Sequence, residues 1–433
     1  MDIQNEKHHV FNIRLANFIG LYQILDPGTI RFRGRNVYQI FVAFFVLYMA
    51  VISMALIVDC LHLLTYNMAM SLLDFFIATN SFYTCYKMWI VIYRSNDIWD
   101  CLSITRYGFT SFINRKRNGH DILDLWRSRS VWYTSLLASA YVSTVVIFTL
   151  GFLAFGNVLI PIKNHDGSIG NYRQNIINLY FLLSDETYNE YYTTFFVIEV
   201  WFSVAIVTFL VVFDTLLLTL CLAICCHMQM VSTAFESVNH KSLSDCSHSS
   251  SIDNNDEKQI ISNKHDLIYD ELIKIIMDHQ AVIKKFELFL NIFERVMLSH
   301  IFVSSISLII LWFNLIMKIF NDSTLAIYGD TTIKTIVAIP TVLFQIFMAC
   351  YLFESVHNQK DSIVYALYSS NWTEMDMKCK KLILLTMKLN NANQKTLRYT
   401  RTRVVNLEMF FKTMGHCYTV VSVLINCINL KND

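Results

Sequence analysis

Proline and glycine are scarce in this sequence, with 3 and 11 among 433 residues. Proline breaks helices and glycine loosens them, so their scarcity leaves long stretches free to run as unbroken helix. Charge is scarce too, at 16% of residues, against roughly 25% in an average soluble domain. The net charge is +1, which removes the bulk electrostatic case for a nucleic-acid partner. The 11 cysteines are scattered, with no C-x-x-C pair. That argues against a disulfide framework, a zinc site or a thioredoxin-like site. No H-E-x-x-H, no G-x-S-x-G and no phosphate-binding loop occurs, so no enzyme, metal or cofactor is expected. The opening MDIQNEKHHVFNIRLANF has no short apolar core followed by a cleavage site, so no signal peptide is expected.

What is present is apolar bulk: 54% of residues are hydrophobic and 14% aromatic. A membrane helix needs about 20 mostly apolar residues. Seven stretches qualify: 37–61, 66–93, 131–155, 195–226, 293–320, 332–356 and 407–427. Lysine and arginine gather on the cytoplasmic side of such spans. They crowd the N-terminal arm (Lys7, Arg14, Arg31, Arg33, Arg35) and the segments after spans two, four and six. The opposite side holds Lys163, Arg173, Lys318, Lys334 and Lys431. The expected fold class is therefore an all-α membrane protein with seven transmembrane helices. Its N-terminus is cytoplasmic, its C-terminus extracellular, and a helical anchor domain sits in the cytoplasm. A G-protein-coupled receptor also has seven spans, but with the N-terminus outside. The loop Gly156–Thr194 holds no cysteine, and no Asp-Arg-Tyr or Asn-Pro-x-x-Tyr motif occurs. Of two glycosylation sequons, at Asn321 and Asn371, only Asn321 falls outside in this topology.

The expected organisation runs in five parts. Residues 1–36 form a cytoplasmic arm, and 37–226 hold spans one to four on the ligand-pocket side. Residues 227–264 form a disordered cytoplasmic loop. Residues 265–403 hold anchor helices with spans five and six, and 404–433 hold span seven and the tail. The serine-rich core of the loop, Ser237–Lys258, has too little apolar surface to order itself. It reads as a tether or as a phosphorylation target. From Leu267 to Val296, apolar Leu272, Ile275, Ile276, Val282, Ile283, Phe286 and Phe289 recur at helical spacing. A second amphipathic stretch runs over 361–394. The two either assemble into a cytoplasmic bundle or lie on the bilayer surface. Cys225 and Cys226 at the inner end of span four are buried thiols or palmitoylation sites.

Ionisable groups inside a span are costly, and often functional. The spans carry Asp74 and Lys87 in the second, and Glu199 and Asp214 in the fourth. Asp74 and Glu199 fall in the outer half and Lys87 low in its span. They either meet a ligand in a pocket between helices or bond to partners within the bundle. Aromatic residues surround them, including Phe82 and Tyr83. Such residues line ligand pockets, but they also pack any membrane bundle.

Three stretches carry a resemblance: DHQAVIKKFELFLNIFERVMLSHIF (Asp278–Phe302), CYLFESVHNQKDSIVYALYSSNW (Cys350–Trp372), and the region closing in YTVVSVL. The first is similar to the Asp-His-Gln stretch of the insect odorant receptors. Ser362, Ala366, Tyr368 and Trp372 follow that family's S-x-x-x-A-x-Y-x-x-x-W spacing. Phe353 stands where the family often has glycine before the acid at Glu354. The ending from Tyr418 to Leu424 resembles ligand-tuned receptors rather than the universal co-receptor. It lacks the Thr-Tyr…Gln-Phe ending of gustatory receptors, the nearest alternative class.

That resemblance implies a function. Such proteins are odorant-binding subunits of tetrameric, ligand-gated, non-selective cation channels in olfactory sensory neurons. They assemble with co-receptor subunits around one central pore in the plasma membrane. The expected partners are co-receptor, a small volatile apolar ligand and membrane lipid, with no G protein. The implied pocket lies among spans two, three, four and six. Its candidate residues are Asp74, Phe75, Phe76, Tyr141, Thr144, Phe148, Trp201, Phe202, Ala205, Thr341 and Phe344. The implied pore helix is span seven. At 100° per residue, Tyr418, Val421, Ser422 and Ile425 share one face within about 100° of arc. They are the candidate pore and gate, unless that face packs against spans five and six. Lys412 and His416 point about 120° and 160° away, so neither is expected to line the pore.

Overall fold

The computed structural model describes residues 9–64, 67–111, 117–155, 159–163, 168–180, 183–238, 254–320, 329–392, 396–398 and 404–432. Short helices α1 (Ile13–Phe18) and α2 (Leu21–Leu25) and a two-residue hairpin, β1 (Arg31–Phe32) with β2 (Arg35–Asn36), lead into the first long helix. That helix is α3 (Val37–Leu63). It is followed by α4 (Met68–Tyr93), α5 (Ser95–Leu102) and α6 (Arg117–Phe155). A hairpin of β3 (Leu159–Lys163) and β4 (Ile169–Arg173) and a short α7 (Asp185–Glu190) precede α8 (Tyr192–Glu236). The C-terminal half comprises α9 (Asn254–Phe320), α10 (Gly329–Ser369), α11 (Met377–Ala392) and α12 (Leu407–Asn432).

Each apolar run read from the sequence lies in a long helix. Five helices are long and apolar enough to cross a membrane among the described residues: Val37–Leu63, Gly119–Leu150, Tyr192–Glu236, His265–Lys318 and Thr331–Ser369. Helices α4 and α12 are each 26 residues long but carry more polar side chains. Asparagine starts four of the described helices, α1, α3, α4 and α12. The Asn36 side chain accepts the Tyr38 N–H at 2.9 Å, and that of Asn67 accepts the Met70 N–H at 3.2 Å. Each satisfies a donor that the first turn leaves without a partner.

Helix α8 runs through the centre, and its residues from Val211 to Phe235 are almost all buried. Helix α3 lies on the outside. Met49, Ile52, Leu56 and Leu63 face inward, while Phe41, Phe44, Leu47, Val51, Met54, Val58 and Leu61 form an exposed stripe. Both faces are apolar, which suits a helix between protein and lipid. Helix α9 has 67 residues. At about 1.5 Å per residue it spans roughly 100 Å, while a bilayer's hydrocarbon core is about 30 Å thick. Most of it therefore extends beyond the bilayer. Pro340 sits inside α10.

Three sequence-based boundaries need correction. The loop expected over 227–264 is shorter. Residues 227–236 complete α8, with Met228, Met230, Val231, Ala234 and Phe235 buried, and α9 begins at Asn254. The serine-rich residues 239–253 and Asn321 lie outside the described residues. The stretch 361–394 is not one helix. The Ser369 and Ser370 hydroxyls bond back to the Ala366 and Leu367 carbonyls, which competes with the helical ladder. A single 3₁₀ turn (Trp372–Glu374) then precedes α11. Helix α6 begins at Arg117, well before the apolar run at 131.

Beyond the apolar runs the helices are tied together by polar contacts. Asp278 accepts the Ser111 N–H and hydroxyl at 2.9 and 2.8 Å. Lys285 pairs with Asp100 at 2.8 Å, and Trp126 donates to Gln229 at 2.6 Å. Glu354 accepts the Leu407 N–H at 2.7 Å, so α10 caps the start of α12. His279, from α9, hydrogen-bonds Asn390 of α11 and meets the Phe235 ring edge-on at 6.2 Å.

Burial pushes the His279 imidazole down to about 4, the Asn390 bond opposing and the Lys360 charge adding. An unperturbed histidine titrates near 6.5. Below about pH 6.5 the unfolded chain takes up a proton that folded His279 refuses. The stability it contributes is present above that pH and falls away toward pH 4, by on the order of 2–3 kcal/mol. The melting temperature of detergent-purified protein is expected to drop across that window, and His279→Gln to flatten part of the drop. An unaltered slope in the variant would refute the assignment.

Candidate functional site

Five helices and one loop line a cavity of about 140 Å³. Helix α4 contributes Phe76, Asn80, Tyr83, Thr84 and Lys87, a stripe at helical spacing. Helix α6 contributes Tyr141, Thr144, Val145 and Phe148. From α8 come Ser203, Ile206, Val207 and Leu210, and from α10 Ala338, Thr341, Val342 and Gln345. His300 of α9 and Ile177 of the β4–α7 loop complete the wall. Thr144 and Thr341 join α6 to α10 through their hydroxyls, 3.1 Å apart.

The end nearest Ile177 is closed by a buried loop. Gln174 to Tyr180 are all buried, so their backbone groups need partners. Glu199, 1% exposed, accepts the Ile177 and Leu179 N–H groups at 2.7 and 2.9 Å. Lys334 donates to the Ile176 carbonyl at 2.6 Å. An acid from α8 and a base from α10 thus grip opposite polarities of the same backbone. Tyr172, Tyr180 and Tyr188 pack around the loop, with ring centroids 4.8–5.8 Å apart. Asn178 takes a left-handed conformation, φ 64°, which asparagine tolerates better than most side chains.

The opposite end is polar. Lys87 Nζ lies 3.1 Å from Asp214 Oδ1. The Tyr141 hydroxyl donates to the other oxygen of Asp214. Nζ also sits 4.8 and 5.2 Å from the Phe213 and Tyr83 ring centroids. The Tyr83 hydroxyl donates to the Val296 carbonyl, and His300 stacks on the Tyr83 ring at 5.8 Å. Helix α9 therefore touches the cavity through His300. One turn on, the Cys417 thiol of α12 reaches the Ser305 carbonyl at 3.7 Å.

Of the residues picked from the sequence, Phe76, Tyr141, Thr144, Phe148 and Thr341 line this cavity. The others do not. Phe75 and Trp201 are exposed on the outer surface, while Phe202 and Ala205 are buried in the core. Phe344 packs with Leu137 and Val211. Asp74 is buried and faces the charges of Asp59, Glu199 and Lys334. Helical phase explains this: each lies at least one position from a lining stripe, about 100° around the helix. Asn80, Lys87, His300 and Gln345 were not among the picks. The α4 stripe at 76, 80, 83, 84 and 87 was the available signal. In α12 the four candidate gate residues divide. Val421 is buried against the rest of the chain, Tyr418 is exposed, and Ser422 and Ile425 are half-buried. Val421 thus takes the packing alternative, beside Cys417.

Comparison with known proteins gives one consistent result. Odorant receptor 33b of Drosophila melanogaster is 24% identical over 149 residues, 34% of this chain and 37% of that protein. Odorant receptor 46a, isoform B, from the same fly is 26% identical over 113 residues, 25% and 29% of the two chains. The matched part thus spans well under half the length of these relatives. The insect olfactory receptor OR5 from Machilis hrabei shares the fold with a TM-score of 0.65 at 15% identity, over 95% of this chain and 97% of that one. Its structure in complex with eugenol gives 0.62 at 14% identity, over 96% and 98%. The family model described as "7tm Odorant receptor" matches residues 67–418. That is well over half of the sequence, and this chain belongs to the 7tm odorant receptor family.

Proposed function

We propose that the chain is an odorant-binding, ligand-tuned subunit of a ligand-gated non-selective cation channel in olfactory sensory neurons. The cavity among α4, α6, α8 and α10 carries this reading. The fold-sharing receptor from Machilis hrabei has been solved with eugenol, a small volatile, which supports the same ligand class here. In this reading the seven apolar helices cross the plasma membrane with the N-terminus inside and the C-terminus outside. The cavity then lies toward the outer half, and the extension of α9 with α11 forms a cytoplasmic anchor.

Together with co-receptor subunits the chain completes a tetramer around one pore. Helix α12 packs on one side only. Tyr418, Ser422 and Ile425 sit on the flank beside Val421, about 40–100° around the helix from it, and this flank is the proposed pore surface, with Val421 at its packed edge. A ligand shifts the channel toward opening only as far as it binds the open state better. The route is short: cavity to His300, α9 to Cys417, Cys417 to the pore helix.

The test is whole-cell current in cells expressing the chain with and without co-receptor, challenged with volatile ketones, esters, aldehydes and terpenes. A fast cation current confined to the pair is the expected result. An N-terminal epitope that is labelled on intact cells would overturn the orientation. G-protein-dependent signalling without current would overturn the channel itself.

A further inference from the structure

The polar end of the cavity is built around a buried ammonium. Lys87 is 1% exposed and lines the cavity. An ammonium carries three donors. Among the described residues, Asp214 is the one side chain or carbonyl that accepts from it. The rings of Tyr83 and Phe213 cover Nζ but are not ordinary acceptors. Asp214 also divides its charge between Lys87 and the Tyr141 hydroxyl. A buried donor left unmade is costly, most of all on a charged group. The remaining donors of Lys87 have the cavity in front of them.

Size and charge narrow what can answer them. The volume, about 140 Å³, is close to the roughly 150 Å³ that holds benzene in an engineered cavity. Lys87 and Asp214 already balance each other. A carboxylate ligand would add a second negative charge beside Asp214, and an ammonium ligand a second positive charge beside Lys87. Burying either without a partner is strongly unfavourable. A neutral oxygen acceptor meets neither objection. Phe76, Val145, Phe148, Ile206 and Val207 supply apolar wall for the rest of such a molecule.

Resting on the function proposed above, we infer that the ligand is a neutral, ring-sized volatile bearing one acceptor oxygen, of a ketone, aldehyde, ester or alcohol, that docks on Lys87. Lys87 is then the specificity-determining residue, separating oxygenated volatiles from hydrocarbons of the same shape. Thr84, one turn before Lys87 on the same face, and Gln345 across the cavity flank the oxygen.

The test uses matched probes of equal non-hydrogen size on the full chain expressed with co-receptor: acetophenone against isopropylbenzene, and 2-heptanone against 2-methylheptane. The wild type is expected to respond to each ketone at about 10- to 100-fold lower concentration than to its hydrocarbon, the range a hydrogen bond to a charged group supplies. In Lys87→Met the two members of each pair should converge to within about threefold, through loss of ketone sensitivity alone. Lys87→Arg keeps a buried donor and should keep part of the preference. If Lys87→Met fails to reach the surface, the double variant Lys87→Met/Asp214→Leu buries no lone charge and is read the same way.

A lysine acting only as a tie between α4 and α8 would weaken both members equally and leave their ratio unchanged, which would overturn the inference. So would a wild type equally sensitive to both, and in either case the channel reading would stand. No current and no thermal shift of purified protein with any of these probes would overturn both.

Discussion

Replacing Glu199 with alanine is expected to destabilise the receptor by about 3–5 kcal/mol, one of the largest effects of any single substitution in the bundle. The carboxylate makes two bonds to backbone N–H groups, of Ile177 and Leu179. The loop that carries them is buried from Gln174 to Tyr180, so water does not simply take over. Each N–H left bare costs about 1–3 kcal/mol. Alanine also leaves a void beside the tyrosine cluster, and the Lys334 ammonium, which holds the next carbonyl, loses a nearby opposite charge. Glu199→Gln keeps one acceptor oxygen and should cost less than half as much. The measurement is the melting temperature of detergent-purified protein, by fluorescence-detected gel filtration. A drop of several degrees in Glu199→Ala, with the glutamine variant between it and wild type, is expected. Equal melting of all three would show that the loop is held by its tyrosines instead.

The second large effect is at Asp214. Its removal as Asp214→Ala leaves Lys87 charged, 1% exposed and without its counter-ion. Breaking one side of a buried pair costs about 3–5 kcal/mol, while replacing the whole pair by apolar residues is often neutral. The Tyr141 hydroxyl also loses its acceptor. The triple variant Lys87→Met/Asp214→Leu/Tyr141→Phe removes charge, counter-charge and dangling hydroxyl together. It should melt within a few degrees of wild type, although Asp214→Ala alone folds poorly. That non-additivity is the signature of residues acting as one network. If the triple variant is as unstable as the single one, shape rather than charge governs this site.

These two networks show how far sequence alone reached. The apolar runs were legible because a helix crossing lipid must satisfy its backbone internally and clothe itself in apolar side chains. Val37–Leu63 and the centre of α8 announce themselves this way. The polar ends of the same helices were not legible. Residues 227–236 and the first turns of α6, with Leu123 and Trp126 buried, fold as helix because tertiary contacts hold one face, which hydropathy does not register. The site was half legible. Choosing aromatics brought Phe76, Tyr141 and Phe148 to the cavity, but also Phe75, Trp201 and Phe202, which sit one helical step away. A stripe rule of three and four, started from Phe76, leads instead through Asn80 and Tyr83 to Lys87. Glu199 and Lys334 were visible as charges. Their purpose was not, because their partners are backbone groups of a loop that has no sequence signature.

Pro340 gives the helix beside the cavity an unusual mechanical property. A proline has no N–H, so the Ile336 carbonyl lacks its ladder donor within α10. Pro340 is exposed on the outer side, and the next residue, Thr341, lines the cavity. The Thr341 hydroxyl further engages the Val337 carbonyl at 3.2 Å, a side-chain bond of the kind that bends helices. Stiffness along α10 is therefore uneven, with its most compliant point level with the cavity. A molecule that parts Thr341 from Thr144 pushes on a joint whose backbone hydrogen bond is already missing. Elastic work would concentrate there, with the rest of α10, down to Glu354 at the head of α12, as the stiffer arm.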